Sequence, residues 1–321
     1  MIVVTRGGYI KRLPLKTFES QGRGTRGKRG TSSSDSSVDD EVAHVITCND
    51  HDTLLMVTQN GIAYGLRAYQ VPTGSRTAKG TPIPSVLPIN SQQVITTVLP
   101  VSEFKEDEYI VLATEQGWIK KTSLAAFEKT SSRGLTIASL AENDKLKWCH
   151  HCKDGDDILM GSSRGMATRF SESKLRPTGR TSRGVTAMKL RDGDMVADMN
   201  VLRGSDKENE EFVLCVTSQG YGKRIPTSEF RVTARGLRGV IAIKFKKAME
   251  DQDRLSCFCT VKEGDEILLN TAKGVMVRQK VSKIPSQSRS ATGVLVQKVD
   301  DFDQITSVSV VPEHQKEKDL A

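Results

Sequence analysis

The sequence predicts an all-β fold, a single ring of six propeller-type blades built from short strands. Three observations predict it. The chain repeats six times: VVTRGGYIKR, LLMVTQNGIAYGLR, IVLATEQGWIKK, ILMGSSRGMATR, FVLCVTSQGYGKR and ILLNTAKGVMVR. The turn glycines of these copies are Gly8, Gly61, Gly117, Gly165, Gly220 and Gly274, at intervals of 53, 56, 48, 55 and 54 residues. A period near fifty built from short strands is the mark of a propeller or solenoid. Helix signals are poor throughout, and 321 residues are enough to bury a large core as one all-β domain.

Each copy reads the same way. A β-branched or apolar run comes first, as in Val111–Thr114, Phe212–Thr217 and Ile267–Thr271. A Gly-containing turn follows, such as Glu115-Gln116-Gly117, and a second strand closes a tight hairpin. One turn of helix is expected next at Ser123–Phe127, with counterparts at Leu15–Phe18 and Thr227–Phe230. A basic loop rich in Gly, Ser and Thr leads into a third strand, at Val185–Leu190, Val240–Phe245 and Gly293–Lys298. An acidic turn (Asp192–Asp194, Asp251–Asp253, Asp300–Asp303) precedes the fourth, at Val196–Val201, Leu255–Thr260 and Ile305–Val310. Four short strands make one blade. Weak alternation within the strands fits sheets packed on both faces. Residues 1–312 are read as one domain and 313–321 as a short polar tail. Segment 31–40, TSSSDSSVDD, is low in complexity and acidic and reads as a mobile loop.

Charge follows the repeat. The chain has 47 Lys+Arg against 39 Asp+Glu, a net +8, which suggests a polyanionic partner. Four residues after the turn glycine stand Arg12, Lys121, Arg169, Arg224 and Arg278, with Gly65 in copy two. Fifteen after it stand Arg23, Arg76, Arg180, Arg235 and Arg289. Base–glycine pairs follow: Arg26-Gly27, Lys79-Gly80, Arg133-Gly134, Arg183-Gly184 and Arg238-Gly239, with only Gly293 in copy six. A fold needs its apolar and glycine positions to recur, not arginine at loop positions. A base recurring at one phase points to a continuous basic rim. Its densest part is Gln21-Gly22-Arg23-Gly24-Thr25-Arg26-Gly27, followed by Lys28 and Arg29. Glycines let backbone approach phosphates closely, and arginines give charge-assisted, often bidentate contacts.

Other chemistries find little support. No run of about 18 apolar residues suggests a membrane span, and no signal peptide is visible. The abrupt strand-like start Ile2-Val3-Val4 suggests a piece of a longer polypeptide. Six cysteines, mostly inside apolar runs, fit buried thiols in a reducing compartment. Cys149-His150-His151-Cys152 prompts a zinc test, but four ligands are needed and no second pair stands nearby, so no metal is expected. There is no nucleophile elbow and no phosphate-binding GxxxxGK[ST] loop, so neither catalysis nor ATP binding by this chain is expected.

The repeat, the motif at 21–27, and the stretches Tyr69–Pro72, Val98–Val101, Gly220–Arg224 and Arg238–Ile241 resemble the C-terminal domain of the gyrase A protein of DNA gyrase. That family's box reads Gln, two bases, two glycines, a base and glycine. Gln21, Arg23, Gly24, Arg26 and Gly27 match it, while Gly22 and Thr25 depart. The resemblance implies a six-bladed β-pinwheel in which an outer strand passes between neighbouring blades. It implies sequence-independent, chiral wrapping of duplex DNA by the rim bases named above. It also implies a whole enzyme, with gyrase B as partner and ATP and Mg2+ as cofactors, whose cleaving tyrosine and ATPase lie elsewhere. The isolated domain is expected to be a monomer, in bacterial cytoplasm or an organelle of bacterial descent. The corresponding domain of topoisomerase IV and a protein-interaction propeller remain as alternatives; the largely intact box argues against the first.

Overall fold

The computed structural model describes residues 1–14, 42–75, 78–90, 93–204, 211–249, 251–273, 275–311 and 313. Each copy contributes a hairpin. The hairpins are Ile2–Thr5 with Tyr9–Arg12, Thr53–Thr58 with Ile62–Arg67, and Tyr109–Thr114 with Trp118–Ser123. Asp157–Ser162 with Met166–Ser171, Phe212–Thr217 with Tyr221–Pro226, and Glu266–Thr271 with Met276–Lys280 complete the set. Beside each first strand lies the inner strand of the same copy: Val42–Ile46, Ile95–Val101, Leu146–Cys152, Val196–Leu202, Leu255–Val261 and Ile305–Val311. The ladder between these two strands shifts register near the end of the first strand in every blade, as between Gly161 and Ser162. Such a shift bends and twists the sheet locally, here at the same point of each blade.

The fourth, outer strand is where the blades interlock. It is only two residues long, and the following copy supplies it: Thr81–Pro82, Leu135–Thr136, Val185–Thr186, Val240–Ile241 and Val294–Leu295 complete blades one to five. The sheet of blade six has three strands among the described residues. The expected third strands were thus right in place but too long. After Thr186 the chain leaves the sheet, Ala187 N–H bonds the carbonyl of Gly117 at 2.9 Å, and Ala187 and Met188 sink into the core. Four of these five outer strands are entered through a base–glycine pair, and the fifth through Thr292-Gly293. Gly184 has φ +94°, and a Cβ there would stand 2.3 Å from the carbonyl oxygen of Ile119 on the receiving blade; at Gly239, φ is +80° and the distance 2.0 Å. Only glycine fits at that crossing.

A one-turn 3-10 helix follows the second strand, at Leu124–Phe127 and Thr227–Glu229 as expected, and also at Ala68–Gln70, Glu172–Lys174 and Val281–Lys283. Leu15–Phe18 and the low-complexity stretch 31–40 lie outside the described residues.

Five apolar cores fill the spaces between consecutive blades from one to six. All six residues of Thr53–Thr58 are buried, with Leu54 and Met56 facing blade one and Leu55 and Val57 facing blade three. That two-sided burial is why the strands lack an apolar–polar alternation. Cys149 and Cys152 point into different cores, so the two thiols do not converge on one site. A cavity of about 840 Å3 opens where blades one, two, three and six approach, lined in part by His44, Thr96, Trp148 and Ser307.

The acidic turns prove structural. Oδ1 of Asp253 accepts from Ser218 Oγ (2.8 Å), Gln219 N (3.0 Å) and Arg254 N (2.9 Å), and Asp194 repeats the pattern with Ser163, Arg164 and Met195. Each carboxylate ties its own inner strand to its hairpin turn. Nearer the axis, Asp198 accepts from Met199 N at 2.8 Å and is also bonded to Phe258 N of blade five and the Trp148 indole of blade three. Burial pushes its carboxyl up to about 7, against the opposing pull of those donors. His150 is driven the other way, to about 4, chiefly by burial.

Replacing Asp253 with Ala should cost about 1–3 kcal/mol, because three donors lose their acceptor. Removing the exposed Asp251 from the same turn should change stability by less than about 0.5 kcal/mol. Equal losses by thermal melting would refute the capping role. Asp198 binds its proton more tightly folded than unfolded, so the stability it contributes is full below pH 4 and drains away up to about 7. The Tm of D198N relative to the unsubstituted chain should therefore climb between pH 4 and 7 and then level. Parallel melting curves would contradict the raised value.

Candidate nucleic-acid interface

The recurrent bases divide into two groups by their place in the repeat and by their partners. Those four residues after the turn glycine lie on the second hairpin strand and each is paired with a protein group; Lys121 and Arg224 are buried, Arg12 and Arg169 half-buried, and Arg278 exposed. Arg169 places Nε and Nη2 at 3.0 and 2.7 Å from Oδ2 of Asp157, and its Nη1 donates to the carbonyls of Thr227 and Phe230. Arg278 pairs with Glu266, and Arg12 with Asp50 at 2.9 Å. Lys121 is only 4% exposed; it pairs with Glu172 and stands 4.4 Å from the centre of the Tyr109 ring. Arg224, 6% exposed, donates Nε to the carbonyl of Ile284 at 2.6 Å and lies over Phe212, with Glu263 at 3.6 Å. These groups were expected on the rim with the others. The strand instead turns Lys121, Arg169 and Arg224 toward groups of the next copy, while Arg278 stays exposed beside Glu266 of its own hairpin. A rule links base and partner: twelve positions earlier stands a carboxylate (Asp157, Glu266) or an aromatic ring (Tyr109, Phe212). Copy two has Gly65 at this phase because a Cβ there would meet the Thr130 carbonyl at 2.4 Å.

The loop bases range from half-buried to exposed. Lys79, Arg133, Arg183 and Arg238, each one residue before the crossing glycine, are exposed. Arg180, Arg235 and Arg289 are half-buried. Arg235 donates to the carbonyls of Lys174 and Thr186 at 3.3 and 3.2 Å, while Arg289 stands 3.8 Å from Glu229. Gln21, Arg23, Gly24, Arg26, Gly27, Lys28, Arg29 and Arg76 lie outside the described residues.

Two further residue sets shape the loops. Three residues after the turn glycine, copies one, three and five carry Lys11, Lys120 and Lys223, all under 4% exposed. The Lys120 ammonium donates to the carbonyls of Ile137, Gly179, Arg180 and Ser182 at 2.6–3.2 Å. Lys223 donates to Ser288, Arg289 and Ala291 at 2.7–2.8 Å, and Lys11 to Ala78 at 2.8 Å. Burial lowers Lys120 and Lys223 to about 8, which leaves both protonated at neutral pH. One residue after the glycine, the same copies carry Tyr9, Trp118 and Tyr221. Cations stand over these rings: Lys79 at 4.5 Å, Arg183 at 5.1 Å and Lys246 at 4.1 Å. The signal was present in the sequence as YIKR, WIKK and YGKR, against IAYG, MATR and VMVR in the other copies. It is a second period of two copies laid over the first.

Comparison with known proteins agrees with this architecture. The family model described as DNA gyrase C-terminal domain, beta-propeller, matches residues 1–49, 52–83, 108–153, 156–203, 211–252 and 265–312. The gyrase A protein of DNA gyrase from Synechocystis sp. is 41% identical over 341 residues, covering 97% of this chain and 39% of that protein. Its Staphylococcus epidermidis counterpart is 37% identical over 314 residues, covering 98% and 34%. The chain thus spans between a third and two fifths of the length of these relatives. Among solved structures, the C-terminal domain of DNA topoisomerase IV superposes with a TM-score of 0.82 at 25% identity, covering 99% of this chain and 94% of that one. The DNA gyrase A C-terminal domain gives 0.73 at 27%, covering 96% and 98%. A match that takes in part of every one of the six copies and relatives above 30% identity along nearly the whole chain lead to one conclusion: this chain belongs to the DNA gyrase C-terminal domain family of β-propellers.

Proposed function

We propose that this chain binds duplex DNA without reading its sequence and wraps it with one handedness around the blade rim. The observation that carries the reading is the exposed base before the crossing glycine on four exchanged loops, Lys79, Arg133, Arg183 and Arg238. The same backbone device positions each, so they recur around the ring as the blades do. Contacts to phosphate position DNA and are indifferent to base sequence. Bending 20–30 base pairs by 40–90° costs of order 1–6 kcal/mol, which only several such contacts can offset. The half-buried Arg180 and Arg289 would stand behind them. In the same reading Gln21, Arg23, Gly24, Arg26, Gly27, Lys28, Arg29 and Arg76 extend the path, and residues 1–312 act as one wrapping domain. Lys121 and Arg224 hold the blades together and do not reach DNA.

In the whole protein, a wrapped turn would present a second segment of the same molecule for strand passage and so favour negative supercoiling. ATP hydrolysis, Mg2+, DNA cleavage and the gyrase B partner would belong to that larger assembly, and bacterial cytoplasm to its place of work. Among the described residues, no helix is long and apolar enough to cross a membrane. A second reading, that the chain directs substrate choice as a topoisomerase IV domain, draws on the higher TM-score of that neighbour.

Ligation of nicked circular DNA with the bound chain tests the proposal through the linking number. A positive, salt-sensitive shift is expected; binding without a shift would favour the second reading, and no binding at low salt would sink both. Each phosphate contact contributes about −0.9 to the slope of log affinity against log salt. The triple substitution R133A/R183A/R238A should therefore flatten the slope by about 2.7. An unchanged slope would remove these bases from the interface.

A further inference from the structure

The buried lysines of alternate blades have a place in the fold that the fold itself does not require. Blades two and four form the same hairpin with Tyr64 and Thr168 at the equivalent position. A buried ammonium is expensive to desolvate, and it persists where several well-placed acceptors surround it. Every acceptor of Lys223 and three of the four of Lys120 belong to the basic loop delivered by the next copy. The lysine therefore grips the loop by its main chain and leaves the loop's side chains outside. Blade four shows the alternative: its incoming loop is held by its own Arg235, whose guanidinium is occupied by carbonyls. On blade three, Lys120 bears that task, and Arg180 makes no side-chain hydrogen bond or ion pair among the described residues.

We propose that Lys11, Lys120 and Lys223 are positioning residues for DNA contact. Each fixes the main chain of an incoming basic loop, so that Lys79, Arg180 with Arg183, and Arg289 present to phosphate in one preset geometry. The rings of Tyr9 and Trp118 assist by holding the cations of Lys79 and Arg183. The rim then carries three preset stations, on blades one, three and five, separated by loops without a buried lysine on blades two and four. Preset groups lose less conformational freedom on binding, and affinity gains accordingly. The proposal rests on the wrapping reading above.

The test uses the full chain with K120M, K223M and the double variant. Lys→Met keeps the side-chain length and removes the donor. Hydrogen exchange without DNA, read over residues 177–184 and 286–291, should accelerate by about tenfold or more in the variants, because local opening becomes easier. DNA affinity at fixed salt should fall by about threefold to tenfold per lysine while the salt slope stays constant, since no phosphate contact is removed. A slope that flattens by about 0.9 would make the lysine a direct contact and overturn the positioning role. Faster exchange with unchanged affinity and unchanged linking-number shift would overturn it as well. So would unaltered exchange. If a variant fails to fold by circular dichroism, W118L serves instead; it frees the exposed Arg183 without touching the core, and should weaken binding at constant slope, while unaltered binding would contradict the proposal. A wild-type chain that does not bind DNA would defeat the wrapping reading, whereas the exchange data report on the clamp independently.

Discussion

Everything in this molecule depends on one constraint: the sheet of each of the first five blades is completed by two residues of the next copy. Two residues of ladder are a weak attachment by themselves. They hold because the approach to them is over-determined. The glycine at positive φ lets the incoming backbone lie against the second strand of the receiving blade. The residue four after the turn glycine then bridges to the incoming loop, with Lys121 facing Pro177 and Arg224 facing Ser286 across isolated bridges. Side chains seal the contact, as carbonyl-bound guanidinium groups or as buried ammonium groups. The apolar cores lie between blades, so burial and strand exchange stabilise the same interfaces.

This arrangement explains why bases of one repeat phase can be structural while those of another face solvent. A strand residue has its direction fixed by the pleat and its neighbours, and the base four after the glycine meets an acid or a ring already waiting. A residue just before a tight glycine crossing meets no acid, and where a ring lies beneath it, as Tyr9 under Lys79 and Trp118 under Arg183, the base stays exposed. Its side chain projects from the outside of the turn. Charge needed to hold the ring and charge offered to a polyanion therefore occupy different positions of one motif.

The hairpins, the inner strands and the sixfold count were legible because each depends on local sequence: an apolar run, a turn glycine, an acidic cap. The exchanged strands were legible as strands but not in length, since Ala187 and Met188 read as a continuation of Val185-Thr186 until a neighbouring blade claims them as core. Arg169 and Arg180 look alike in sequence, and their partners separate them: Arg169 is bound to Asp157 and two carbonyls, whereas Arg180 makes no side-chain hydrogen bond among the described residues. The carbonyl partners of Arg169 lie on another copy, which no single repeat reveals. The two-copy period of Tyr9–Lys11, Trp118–Lys120 and Tyr221–Lys223 was open to inspection all along. A sixfold alignment averages it away, because it treats all copies as equivalent. The segment from Gln21 to Arg29 was the sharpest motif in the sequence, and it lies outside the described residues.

The direction of strand donation, from a later copy to an earlier one in each of the five completed blades, has a consequence for synthesis. A nascent chain emerging from the ribosome cannot finish any of these blades when its own hairpin and inner strand are out; the finishing strand is still inside the tunnel. Assembly must then run as a wave, with each unit open at its outer edge until its successor arrives. The open edge is short, and its vacancy accepts only a loop with glycine at the right point. Vectorial synthesis and this selectivity together would keep six units of like fold from pairing out of turn.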